Sequence, residues 1–177
     1  MLSKKTIVCP DNLLKIAKTK GPVKVVIVNA GKQIAIESAK QGVKEGLIDP
    51  IFVGNKSTIE KLAKDIGGPI DVINWNKRHN LLTEATLVVN TTTLGMKGNP
   101  PLELNLSALP KKALINDIVY VPLETTFLRN ARARGNPTVD GIGMLLHQAR
   151  PGFAEWFNKD PLVTEDLRHY VLGINGG

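Results

Sequence analysis

Asn29, Ala30, Gly31 and Lys32 follow a β-branched run, Val25 to Val28, and precede a stretch with helical spacing. In nucleotide folds a strand feeds a phosphate-binding turn in this order, and backbone N–H groups at the helix start meet an anion. The chemistry at stake is cofactor binding. Such a turn ordinarily carries glycines at its first, third and a later position, for the bend, for close backbone approach and for helix packing. Here Gly31 alone remains, and Lys32 brings a positive charge to the helix start. Side chains at the other positions take room from a pyrophosphate. The turn is therefore expected to connect a strand to a helix, with residual phosphate binding at most.

Other reactive residue types lack the company their chemistry needs. His79, His147 and His169 share no metal-ligand spacing and no acidic or cysteine cluster completes a site, so no metal is expected. Ser107 lies in no nucleophile elbow and Asp117 has no evident base partner. Met144, Leu145, Leu146, Phe153, Trp156 and Phe157 recur at helical intervals and read as core or packing surface rather than a cofactor box. Arg129, Arg132 and Arg134 fall near a predicted helix C-terminus, where cations offset the helix dipole.

A formal charge of +7 favours anions, but the basic residues are dispersed and aromatic content is 5%. With no nucleic-acid signature either, no nucleic-acid partner is expected. Cys9 is the only cysteine and excludes an intramolecular disulfide. No apolar run approaches the ~20 residues of a membrane span, and no signal-peptide pattern appears. The expectation is a soluble, cytoplasmic protein with no membrane partner.

The elements that must position these residues alternate. A chain of 177 residues with 42% hydrophobic content can bury one core, so 1–177 is read as one domain. After an amphipathic segment, Asp11 to Lys18, come a strand at Val23 to Val28 and a helix from about Lys32 to Glu45, ended by Gly46. "DPIFVGN" gives a second strand. In the helix after it, Ser57 and Glu60 form a capping box and Gly67 is the stop. "IDVINW", a helix from about Lys77 to Glu84, "TLVVN", "ALINDIVY", a helix through Thr126 to Arg134, and "PTVD" follow. The C-terminal part reads as helices, the last after Thr164 as N-cap. Apolar strands alternating with helices predict an α/β fold, a Rossmann-like, doubly wound, mostly parallel sheet of about six strands with C-terminal helices.

"VNTTTLGM", "DIVYVPLETTFL" and "VDGIGMLLHQA", each after a predicted strand, carry a resemblance. From about residue 67 onward the chain resembles the NADP-binding domain and closing helices of shikimate dehydrogenase. "VKVVIVNAGKQIAIESAKQGVKEGLIDPIFVGNKSTIEKLAKDIG" is similar instead to the N-terminal region of the phosphate acetyl/butyryltransferase family, where a helix ending "EGL" precedes "DPIFVG" and a charged helix. The two meet near Gly67 and Gly68. Together they imply a chimera, engineered rather than natural, of an acyltransferase-like fragment 1–66 and a dehydrogenase-like fragment 67–177.

The dehydrogenase resemblance implies NADP(H) as cofactor and places residues around it. Gly31 and Lys32 fall on the phosphate turn. Asn55, Lys56 and Ser57 stand where the family carries an asparagine, an arginine and a threonine on the 2′-phosphate, lysine keeping the charge and losing the planar fork. Thr91, Gly95, Met96 and Gly141, with Gly143, match positions along the cofactor, and Gln148 matches a substrate-contacting glutamine. The family's catalytic lysine and aspartate belong to an N-terminal substrate domain without a counterpart in this sequence. The acyltransferases' reactive residues lie mainly in their C-terminal portion.

No catalytic residue is therefore assigned. The function expected is an engineered or chimeric fold without catalytic activity, retaining at most weak NADP(H) or phosphate binding. The alternative is an NADP-binding module or relict of shikimate dehydrogenase, a 3-dehydroshikimate/shikimate oxidoreductase, acting with a partner that supplies the substrate domain. Without that domain the closing helices need another apolar face. Either they and the segment around Leu13, Leu14 and Ile16 fold back on the sheet, or two chains associate through them, giving a monomer or a homodimer.

Overall fold

Strands without polar alternation must be covered on both faces, and the two-residue period of a strand divides their side chains between two layers. The structure, a computed structural model, describes residues 11–28, 33–63, 71–80 and 82–173. Its strands are β1 (Val23–Val28), β2 (Ile48–Gly54), β3 (Asp71–Asn74), β4 (Leu87–Asn90), β5 (Leu114–Asp117) and β6 (Thr138–Val139). They form one sheet in the order β3-β2-β1-β4-β5-β6, every neighbouring pair parallel. The helices are α1 (Asp11–Thr19), α2 (Gln33–Lys44), α3 (Lys56–Ala63), α4 (Thr126–Ala133), α5 (Ile142–Phe157) and α6 (Glu165–Val171). This is the open, Rossmann-like sheet that the alternation predicts.

Val25, Ile27 and Phe52 turn to one face, against Ile36 and Ala39 of α2 and Ile59 and Ala63 of α3. Val26, Val28, Val53, Val88 and Ile115 turn to the other, against Phe127, Leu128 and Ala131 of α4. No helix links β4 to β5. Residues 91–113 form an irregular connection whose Leu102, Leu106 and Leu109 bury themselves on the α4 face. Pro100, Pro101 and Pro110 explain why, since proline removes the donor a helix needs and fixes its own φ. A connection of this length commonly carries function.

Several local expectations shift. The helix expected from about Lys77 to Glu84 is two 3-10 turns, Trp75–Asn80 and Leu82–Glu84. Asn55, rather than Ser57, caps α3: its Oδ1 accepts from the Thr58 N–H at 3.1 Å and from the Ser57 hydroxyl at 2.8 Å. The cap must precede the first helical residue, and here that residue is Lys56. Gly67, the expected stop, lies outside the described residues. Thr164 does cap α6, accepting from the Leu167 N–H at 3.1 Å. The arginine cluster falls at the C-terminal end of α4 as expected, Arg132 in its last turn and Arg134 as its C-cap, and it makes further contacts. Arg129 and Arg132 pair with Glu124, and Arg134 donates to the Ser107 and Leu109 carbonyls.

The closing helices run as a single α5, with Pro151 inside it, and then α6. Only Ile142 and Leu146 of α5 are buried. Trp156 is 78% exposed and Ile16 of α1 is 58% exposed, so neither side chain is covered by the sheet as folding back on it would require.

Deleting core volume should separate the layers from the periphery. Leu128→Ala, fully buried against the sheet, is expected to cost about 2–5 kcal/mol in urea unfolding. Leu162→Ala, exposed, should change stability by no more than about 0.5 kcal/mol.

Candidate functional site

In an open parallel sheet, ligands bind beyond the carboxyl ends of the strands, where the strand order reverses. Here the chain winds outward from β1 to β2 and β3, then returns to β4 on β1's other side. The reversal point lies between the ends of β1 and β4. Thr91 bridges it, its hydroxyl donating to the Val28 carbonyl at 2.6 Å.

Two apolar strands end there in polar residues at partnered register positions, Asn90 of β4 and Asp117 of β5. Both are fully buried. Asn90 Nδ2 donates to Asp117 Oδ1 at 2.9 Å and to the Leu94 carbonyl at 3.1 Å, while Asn90 Oδ1 accepts from the N–H and hydroxyl of Thr92. Asp117 Oδ1 also accepts from the Val119 N–H at 3.0 Å, and Oδ2 from the Thr125 hydroxyl at 2.7 Å. Thr125 in turn caps α4 by accepting from the Leu128 N–H. Burial raises the Asp117 pKa above the ordinary carboxylate value, and hydrogen bonds from Thr125, Val119 and Asn90 oppose that rise.

The loops above this network touch each other. Lys97 N–H donates to the Val121 carbonyl at 2.9 Å. Gly95, at φ +92°, leaves only 3.3 Å between the place a Cβ would take and the Thr125 side chain. Gly141, at the start of α5, lies so close to β5's exit that a Cβ there would sit 2.3 Å from the Ile118 carbonyl oxygen. Asp140 accepts from the Ile142 N–H and from Arg168 of α6, which grips it through both Nη atoms and pins α6 to this corner.

Thr91, Gly95, Met96 and Gly141 thus share one rim, beyond β4, β5 and β6. Asn55, Lys56 and Ser57 lie beyond β2, with the Lys56 ammonium 3.7 Å from Glu60 and both side chains more than half exposed. Gln148 is exposed on α5. Gly31 and Lys32 lie outside the described residues. The Asn90, Asp117 and Thr125 network is what the sequence reading missed. Its signal was present in "LVVN" and "LIND", two buried strands each ending in a polar side chain.

No metal-binding group of three or more His, Cys, Asp or Glu occurs among the described residues, and no described helix is long and apolar enough to cross a membrane. A groove of about 440 Å³ between α4 and the 101–105 segment shares no residue with the expected cofactor positions.

No family model matches the chain. The shikimate dehydrogenase (NADP(+)) of Paramagnetospirillum magneticum is 48% identical over 157 residues, 87% of this chain and 55% of that protein. Quinate dehydrogenase from Corynebacterium glutamicum, solved in complex with NAD, superposes with a TM-score of 0.73 at 27% identity, over 90% of this chain and 60% of that one. Shikimate 5-dehydrogenase from Thermus thermophilus, solved with NADP(H) and shikimate, gives 0.63 at 25% identity, over 86% and 57%. Homology to the NADP-binding region of shikimate dehydrogenase therefore covers most of the chain. The chain spans about half the length of the curated relatives it matches.

These matches correct two expectations. A match of 157 residues is longer than the whole segment 67–177, so it crosses the expected seam and removes the case for a chimera, an engineered join or an acyltransferase part. A buried strand leading to a charged helix is common to many parallel-sheet proteins, and so "DPIFVG" and its helix looked foreign without being so. The relatives are oxidoreductases, which overturns the reading of a noncatalytic scaffold.

Asp117 should leave a mark on stability against pH. Its folded pKa is raised, so the folded chain holds the proton more tightly and the wild type gains on Asp117→Asn as pH falls from neutral through that raised value. Glu84, lowered by its hydrogen bond to Lys24, works the other way: wild type should lose on Glu84→Gln as pH falls through the lowered value. Urea unfolding from neutral to acid pH reads both slopes.

Proposed function

We propose that this chain is the NADP(H)-binding part of a shikimate dehydrogenase-type oxidoreductase. The observation that carries it is 48% identity to a shikimate dehydrogenase (NADP(+)) along a stretch spanning both sides of the strand reversal. Bound there, the cofactor supplies a hydride acceptor or donor for a secondary alcohol or ketone such as shikimate or 3-dehydroshikimate. The described residues fit it: Gly95 and Gly141 let the loops of the rim approach closely, and Lys56, more than half exposed and 3.7 Å from Glu60, stands beyond β2.

The chain's own residues divide the work. Gly31 and Lys32, which lie between β1 and α2 in the sequence, are assigned to the pyrophosphate. Asn55 holds the start of α3 in place, and Lys56 and Ser57 face the 2′-phosphate that separates NADP from NAD. Lys56 is more than half exposed, so its link to Glu60 is weak and yields to a phosphate. Thr91, Gly95, Met96 and Gly141 line the nicotinamide side, and Gln148 of α5 reaches toward the substrate. Proton transfer to the substrate oxygen falls to groups of the substrate-binding part that the relatives' greater length provides.

Calorimetric titration with NADPH and NADH tests the reading. Wild type should bind NADPH saturably and more tightly than NADH. Lys56→Ala should weaken NADPH roughly 10- to 100-fold, the loss of one charge-assisted contact, and leave NADH unchanged. No saturable NADPH binding to folded protein would overturn it.

A further inference from the structure

We propose that Asp117, which lies beneath the cofactor rim, is a positioning residue that locks the β4 and β5 exit loops into one surface for the nicotinamide half of the dinucleotide. The inference rests on the cofactor reading above and adds to it a residue that touches no ligand. Asp117 Oδ1 holds the β4 exit through Asn90 Nδ2 and starts the β5 loop through the Val119 N–H. Its Oδ2 holds the end of that loop through the Thr125 hydroxyl. Asn90 passes the constraint on, since its remaining bonds go to Thr92 and to the Leu94 carbonyl, beside Gly95 and Met96.

Gly95 then rests on the Thr125 side chain, and Lys97 closes the pair of loops through the Val121 carbonyl. One buried carboxylate thereby fixes both sides of the rim. Burying an acid in a core is costly, and an apolar core would be the simpler solution if stability alone were at stake. The polar ends of β4 and β5 instead hold irregular backbone in a defined shape.

The position of Asp117 makes its effect one-sided. In the binding mode proposed above, the adenosine ribose is assigned to the residues after β2, which puts the nicotinamide half over β4, β5 and β6. Titrations with NADPH, followed by its nicotinamide fluorescence, and with adenosine 2′,5′-bisphosphate, which probes the adenine half alone, separate the two halves. Asp117→Ala is expected to weaken NADPH about tenfold or more while the bisphosphate binds as to wild type. Asp117→Asn and Thr125→Val should show the same split in smaller measure. Ile59→Val, a core change on the opposite sheet face, should leave both ligands unaffected.

Equal losses for both ligands, no loss of NADPH, or the same split in Ile59→Val would overturn the inference. Should Asp117→Ala not fold, wild-type NADPH affinity in both Asp117→Asn and Thr125→Val would overturn it as well. A wild type that binds neither ligand defeats the cofactor reading itself, and this inference with it.

Discussion

Parallel pairing of all six strands is the constraint from which the rest follows. A parallel strand cannot return by a hairpin, so every connection must cross a sheet face, and both faces must be apolar to receive it. The two core layers meet that demand with alternate residues of the same strands, Val26 and Val28 on one side and Val25 and Ile27 on the other. Polar side chains of β4 and β5 are consequently pushed to the strand ends. There the backbone leaves the ladder and needs new partners.

The carboxyl edge is where that need is met. Asn90 and Asp117 sit side by side because the β4 and β5 register pairs them, and their side chains then satisfy donors of loops that have no regular structure. Thr91 ties the same edge to β1, and Asp140 ties it to α6 through Arg168. A shape of this kind suits a site that must meet an extended, charged ligand without rearrangement, since preorganised contacts lower the cost of binding.

The sheet was legible because buried parallel strands are short β-branched runs, and "VKVVIV", "IFVG" and "LVVN" have no competing periodicity. Where local geometry decides, reading by type went astray. Asn55 and Ser57 are both good caps, and only the position of Lys56 as first helical residue chooses between them. For the network around Asp117, "LVVN" and "LIND" show a polar residue at each strand end, but the pairing of the two depends on register between residues 27 apart in sequence. The supposed seam came from the opposite error. The turn has few glycines and the strand and charged helix after it are of a kind common to parallel sheets, yet the dehydrogenase match is continuous across residue 67.

The central claim is that a dinucleotide lies along the carboxyl edge, across the β1 and β4 reversal. Mapping backbone amide shifts by two-dimensional NMR during titration with NADP+ tests it most directly. The account predicts saturable shifts at Gly31, Lys32, Lys56, Thr91, Gly95, Met96 and Gly141, with little change along α4 or residues 101–105. Shifts confined to the groove between α4 and residues 101–105, or none in a folded protein at saturating NADP+, would contradict it.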